Sequence, residues 1–290
     1  MKIGIVGNRG AWSTERLADV VERRTCFRLV VDLADVCMER GTMYYRGLDL
    51  RELDALMIKK IGVGYGPGHM DRLYMLAYLE NKGVQMFSRP GSMLKVLDRL
   101  ACTVVLRNES IPMPDLVVTE NEKCAVAAIK RYGKAVLKPL FSTKARGMKI
   151  VTSECDVLEA VRDFKSSGNG VFYVQKAIDH QGRDFGIAFL GGEYVGAYAR
   201  VGPTECWNTS DGGRYEKYEP SASIMDLAFR AQAPFDLDFT TVDVAITPEG
   251  PVVFEVSAFG GFRGLWEGSG LDAAEKYTDY VVARMQGVTR

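Results

Sequence analysis

Histidine and cysteine are scarce in this 290-residue chain, and their scarcity narrows the chemistry first. With only His69 and His180, a multi-histidine metal site or a histidine-based triad is poorly supplied. The six cysteines, Cys26, Cys37, Cys102, Cys124, Cys155 and Cys206, are scattered and form no CxxC pair. They read as small core residues rather than a disulfide or zinc framework. No long uncharged apolar run is present, which argues against a membrane span, and a mean hydropathy of −0.06 argues against disorder. Net charge is missing too: 37 basic residues balance 37 acidic ones, so no whole-chain field draws the protein to nucleic acid or an anionic membrane. Any partner is recognised locally. The opening MKIGIVGNRG lacks the apolar core and cleavage site of a signal peptide, so it reads as a first strand, and a cytoplasmic protein is expected. Internal repeats and low-complexity tracts are absent as well. Catalysis is left to carboxylates, lysines and arginines.

What is present is enough chain for two domains. Through residue 87, short apolar runs (KIGIVG, FRLVVDLADV, LDALMIKKIG, VQMFS) alternate with helical patterns, predicting a small parallel α/β domain over 1–87. Two glycine clusters follow strand-like runs, Gly7-Asn8-Arg9-Gly10 and Gly62 to Gly68. Both are compatible with phosphate cradles, yet neither has the full dinucleotide fingerprint, and Pro67 removes an amide donor from the second. A Pro/Gly/Ser-rich stretch, Ser88 to Ser92, marks a boundary before a helix expected through Met93 to Thr103. Two α+β units follow, at about 88–172 and 173–290. In the first, a helix is expected to open at Thr152-Ser153.

The segment Thr241–Ser257 carries the most information. A turn centred on Glu249 puts Val244 opposite Phe254 and Asp243 directly across from Glu255. Alternation then gathers Val242, Val244, Ile246, Val252, Phe254 and Val256 on one apolar face, with Asp243, Glu255 and Ser257 on the other. Opposed carboxylates repel unless a cation lies between them or one proton is retained, and hard oxygens so placed suit Mg²⁺ completed by phosphate and water. The alternative is a solvated polar face. A second cluster is basic: eight Lys or Arg and no acid lie between Lys123 and Lys149. Within it Lys138 sits in an apolar strand, where burial demands an anionic partner. The loop Ser142 to Gly147, with hydroxyls and the cations Lys144 and Arg146, can close over a polyphosphate. A snorkelling lysine and a solvated basic helix are the alternative.

Together the clusters point to ATP with magnesium, and the order of motifs then resembles the ATP-grasp superfamily, in its RimK-like amino-acid ligase branch. The resemblance runs from about Asp54 to Ala274. It takes in DALMIKKIG, Asp98-Arg99-Leu100 with Thr103, Lys138-Pro139, Val174 to Ile178, Asp184, Arg200, Asn208, Asp243, Glu255 to Gly261, and Gly270-Leu271-Asp272. It implies an α/β N-terminal domain followed by an ATP-grasp fold, two α+β subdomains clasping ATP. By resemblance Arg99 and Lys138 contact phosphates, and Gln175, Lys176, Ala177 and Ile178 form the adenine hinge. Asp184 reaches the ribose, and Asp243, Glu255 and Ser257 ligate Mg²⁺, with Mn²⁺ also acceptable. Arg200 and Asn208 lie near the transferring phosphoryl or acyl phosphate.

The reaction so implied is ATP-dependent joining of a carboxylate, on a small molecule or a peptide, to an amine or amino acid through an acyl phosphate. The chain departs from the family pattern at Ser257 for asparagine, Arg99 for lysine, Lys176 for a hinge glutamate, Gly186 for an arginine and Ser210-Asp211 for a basic pair, and its grasp loop has fewer glycines and more cations. Ser257 and Gly186 motivate a second reading, a catalytically degenerate ATP-binding regulatory protein. No membrane or nucleic-acid partner is expected, and a homo-oligomer is compatible with the sequence.

Overall fold

A computed structural model of the chain describes residues 1–64, 66–142, 145–202 and 213–287. The first sheet is parallel and ordered β2-β1-β6-β7. Its strands are β1 (Ile3–Val6), reached before helix α1 (Trp12–Thr25), and β2 (Val30–Val31). Between β2 and β6 the chain makes a small antiparallel sheet of β3 (Val36–Glu39), β4 (Thr42–Tyr45) and β5 (Leu48–Asp49). Sequence reasoning missed this sheet, because strands of two to four residues leave too little alternation to read. The first sheet is completed by β6 (Ala55–Ile58), helix α2 (Gly68–Asn81) and β7 (Gln85–Phe87). β1 and β6 are buried along their whole length, as expected of parallel strands covered on both faces.

The helix expected over Met93 to Thr103 is two helices, α3 (Pro90–Leu97) and α4 (Arg99–Asn108). Asp98 breaks them apart. Its backbone is extended, and its side chain accepts from the amides of Leu100 (2.6 Å) and Ala101 (3.2 Å), capping α4. The cap fixes Arg99 at the first position of α4, with its amide bonded to the carbonyl of Leu140.

The middle lobe holds β8 (Leu116–Thr119), α5 (Glu122–Tyr132), β9 (Lys134–Lys138), β10 (Lys149–Thr152), α6 (Val157–Ser166) and β11 (Phe172–Lys176). Helix α6 opens at Val157 on the Asp156 cap rather than at Thr152-Ser153, since Thr152 is still paired with Lys134 in the sheet. The sheet order is β10-β9-β11-β8. An expected division at residue 172 or 173 therefore cuts off too early: β11 pairs with β8 and β9, so the lobe extends through Lys176. It has an apolar core of its own around Ile129, Leu137, Val161 and Phe172.

The last lobe is an antiparallel sheet, β14-β13-β12-β15-β16. Its elements are β12 (Arg183–Leu190), β13 (Glu193–Val201), β14 (Arg214–Lys217), α7 (Ala222–Gln232), β15 (Phe239–Thr247), β16 (Gly250–Ser257), α8 (Phe262–Ser269) and α9 (Ala273–Met285). Its apolar core is continuous with that of the first sheet: Ile3, Ile5 and Met57 belong to one buried cluster with Phe239, Phe262 and Tyr277. Arg16 of α1 also pairs with Asp272 at the start of α9. Among the described residues no helix is long and apolar enough to cross a membrane.

Candidate active site

The polar face of the last sheet is set by strand register. Asp184 of β12 lies opposite Arg200 of β13, Gly186 opposite both Tyr198 and Asp243, and Asp243 opposite Glu255 of β16. Directly opposed antiparallel residues share a face, so these side chains belong to one surface. The opposition of Asp243 and Glu255 follows the sequence expectation, but the turn does not. Thr247 pairs with Gly250, which leaves a two-residue turn, and a bulge between Val244 and Asp243 restores the register. Val244 therefore faces Val253 rather than Phe254. Phe254 is the extra residue of the bulge, and a bulge re-aims its side chain. It leaves the apolar face and joins the polar one, against Lys138 (ammonium 5.4 Å from the ring) and His180. Ile246 also leaves the core and is exposed.

A cavity of about 250 Å³ opens on this face, between α4, the segment after β9 and β16; it brings together Arg99, Ser142, Arg200, Asp243, Glu255 and Ser257, while Lys138 and Asp184 are not among its lining residues. Each carboxylate in it meets an arginine. Arg200 donates bidentately to Asp184 and reaches Asp243 at 2.8 Å. Arg99 donates to Glu255 at 3.1 Å, to Ser142 Oγ at 3.3 Å and to the carbonyl of Pro139. Burial pushes Asp243 up to about 7, with Arg200 opposing the rise and Glu255 adding to it. Repulsion across the hairpin is thus present, but desolvation is the larger cause. Burial also works against the charge of Arg200, and Asp243 and Asp184 outweigh it, so the guanidinium stays charged.

Lys138 ends β9 and is 4% exposed. Its ammonium donates to Gln175 Oε1 at 2.9 Å, and burial, with Arg99 adding, lowers it from 10.5 to about 7. An amide oxygen does not neutralise a buried ammonium, whereas a phosphate oxygen does. Gln175 is itself buried, and its side chain is committed to Lys138. Lys176 is exposed, and its amide bonds to Asp115, while the amide of Ala177 bonds to Lys134. The amide of Ile178 has no acceptor among the described residues. Asp184 spends both carboxylate oxygens on Arg200, so a ribose would compete for the same atoms. Lys144 and Asn208 lie outside the described residues.

The carboxylates fit magnesium in their chemistry: two hard-oxygen donors, adjacent across strands, one of them desolvated and drawing positive charge. Ser257 contributes less, since its hydroxyl accepts from the amide of Phe259 at 3.2 Å. Gly186 has a packing explanation. A Cβ there would come within 2.3 Å of the Tyr198 ring, so Tyr198 occupies the space that a side chain at 186 would need. Sequence reasoning did not single out Tyr198, Thr241 or Phe254, all of which line the cavity. Apolar strand residues carry no outward sign of which face they take when a bulge intervenes.

The RimK-like ATP-grasp domain model matches residues 96–281. The tetrahydromethanopterin:alpha-L-glutamate ligase of Methanocaldococcus jannaschii is 30% identical over 82% of this chain and 82% of its own length. A probable alpha-L-glutamate ligase of Serratia proteamaculans is 28% identical over 98% of this chain and 96% of its own length. Among solved structures, the RimK domain ATP-grasp protein of Sphaerobacter thermophilus superposes with a TM-score of 0.75 at 22% identity, covering 97% of this chain and 99% of its own. The ATP-grasp ligase PsnB, in complex with a variant of its minimal precursor, Mg and ADP, does so with a TM-score of 0.75 at 16% identity, covering 98% of each chain.

Proposed function

The chain belongs to the RimK-like ATP-grasp family, and from that premise we propose that it is an ATP-dependent ligase that joins a carboxylate to an amine. The observation that carries the reading is the convergence of Arg99, Ser142, Arg200, Asp243, Glu255 and Ser257 on one cavity. Six positions spread over about 160 residues of sequence meet around one space.

Mg²⁺ held by Asp243 and Glu255 would supply charge neutralisation at the phosphate oxygens. The remaining work falls to the chain's own residues. Lys138 and Arg99 bind phosphate, and Lys138 regains its proton as it does so. The Gln175–Ile178 segment holds the adenine, with Ile178 offering the free amide. Arg200, kept charged and oriented by Asp184 and Asp243, faces the position where negative charge develops as the γ-phosphoryl passes to the substrate carboxylate. The amine then attacks the acyl phosphate carbon, the C–N bond forms, and phosphate leaves with the acyl C–O electrons. Positioning and charge neutralisation account for most of the catalysis.

The relatives named as glutamate ligases make L-glutamate the first amine to offer. With a cognate pair in hand, a carboxylate labelled with ¹⁸O should deliver one labelled oxygen to the released phosphate; unlabelled phosphate would refute the acyl-phosphate route. A second reading, a nucleotide-binding protein without turnover, draws on the pairing of Asp243 and Glu255 with arginines and on the committed hydroxyl of Ser257. It predicts ATP binding with no substrate-dependent ADP release.

A further inference from the structure

Lys59, directly after β6, is a buried lysine that none of these steps uses. It is 2% exposed, and its ammonium donates to the carbonyls of Phe259 (2.9 Å) and Gly260 (3.2 Å), 3.9 Å from the centre of the Phe262 ring. No carboxylate pairs with it among the described residues. Burial, with Lys60 adding, holds it well below the usual lysine range. An ammonium in such a place costs the fold stability, and an apolar residue would fill it more cheaply.

What the ammonium grips lies against the cavity. Phe259, Gly260 and Gly261 line it, directly after Glu255 and Ser257, whereas Lys59 does not. The backbone there is pressed onto β15: a Cβ at Gly260 or Gly261 would come within 2.6 Å of Thr241. A trans peptide holds its carbonyl and its N–H on opposite sides. With the carbonyls of Phe259 and Gly260 turned toward Lys59, the N–H groups of Gly260 and Gly261 are turned to the opposite side of the backbone. Neither N–H has an acceptor among the described residues.

We propose that Lys59 is a positioning residue of the ligation step. Supplied by the first sheet, it fixes the Phe259–Gly261 backbone so that two amides face the reacting group. The proposal rests on the ligase reading above. It also explains a buried lysine directly after an otherwise apolar buried strand, and it gives the N-terminal domain a part in positioning the site.

The test is Lys59→Met in the full chain, which keeps the volume and removes the donors. The melting temperature is expected to hold or rise, and the KM for ATP and the ATP dissociation constant to stay within about twofold. Turnover should fall at least tenfold, because preorganised amides are worth roughly that or more. Hydrogen exchange over residues 257–264 should quicken while that of β1 and β6 stays unchanged, a readout that needs no substrate. Unchanged turnover and exchange would overturn the proposal. So would a lowered melting temperature with full turnover per folded molecule, the signature of a merely structural lysine. Should the methionine variant fail to fold, Lys59→Arg keeps charge and donors but displaces the grip: lost turnover at unchanged ATP affinity supports the role, and unchanged turnover refutes it. Absence of turnover in the unsubstituted protein with any amine would count against the ligase reading alone, and the exchange experiment would still decide the part played by Lys59.

Discussion

Binding of ATP should be accompanied by uptake of a proton at Lys138. Burial lowers this lysine from 10.5 to about 7, so near pH 8 roughly nine-tenths of it is neutral in the free protein. A phosphate oxygen replacing the Gln175 contact restores the charged form. Uptake of about 0.9 proton per ATP is therefore expected at pH 8, a pH at which Asp243 is largely ionised and contributes little. Calorimetric titration in two buffers of different ionisation enthalpy measures it directly. The same displacement makes Lys138→Met informative about stability. Keeping the ammonium buried costs up to ~5 kcal/mol below pH 7, and stranding Gln175 Oε1 gives back ~1–3 kcal/mol, so the variant should be more stable by about 2 kcal/mol at pH 7. The sign of the pH dependence follows from the lowered folded-state value: between about 7 and 10.5 the unfolded chain holds the extra proton, so unsubstituted protein gains stability as pH rises. From pH 7 to 9 the gap between the two proteins should narrow by ~2 kcal/mol, read by urea unfolding. The Met variant should also bind ATP without proton uptake and at least ~10-fold more weakly. A binding enthalpy that is the same in both buffers, or uptake that persists in the variant, would refute the phosphate role of Lys138.

Three further outcomes are expected. Asp243 has its folded value raised above that of an unfolded carboxyl, so it contributes stability at low pH that is lost as pH climbs from about 4 to 7; Asp243→Asn should flatten that slope in urea unfolding and abolish magnesium-dependent turnover, and an unaltered slope would show that the burial argument fails. Arg200→Ala should leave ATP affinity within about threefold and lower turnover at least ~100-fold, while costing ~3–5 kcal/mol because Asp184 and Asp243 lose their buried partner; a variant that loses ATP binding but turns over normally at saturation would contradict the assignment. Arg146, which donates to the carbonyl of Val63, sits in a loop expected to close over ATP, so tryptic cleavage after Arg146 should slow with a non-hydrolysable analogue; equal rates would exclude closure.

The site was legible in the sequence to the extent that it depends on spacing. The hairpin pattern sets Asp243 and Glu255 face to face, although the register comes from a two-residue turn and a bulge rather than from a three-residue turn. The bulge itself leaves no sign in period-2 alternation, which assumes none, and so the pattern puts Phe254 on the apolar face when it lies on the polar one. The grouping of Asp184, Arg200 and Asp243 was equally hidden: it depends on how β12 pairs with both β13 and β15, and long-range pairing leaves no local trace. Asp98 shows the opposite case, a cap residue readable in sequence whose effect, splitting one expected helix into two, sets the place of Arg99. Lys59 stood in the motif DALMIKKIG, yet its importance comes from a contact 200 residues away.

The most direct test is ADP release by the full chain with Mg²⁺ and ATP, offered L-glutamate or other amino acids as the amine together with pooled carboxylates, with each component withheld in turn. A carboxylate–amine ligase releases ADP and phosphate in equal amounts only when both partners are present, and a product appears whose mass is the sum of the two less one water. ATP bound tightly with no ADP released under any pairing, or ADP released at the same rate when both partners are withheld, would contradict it.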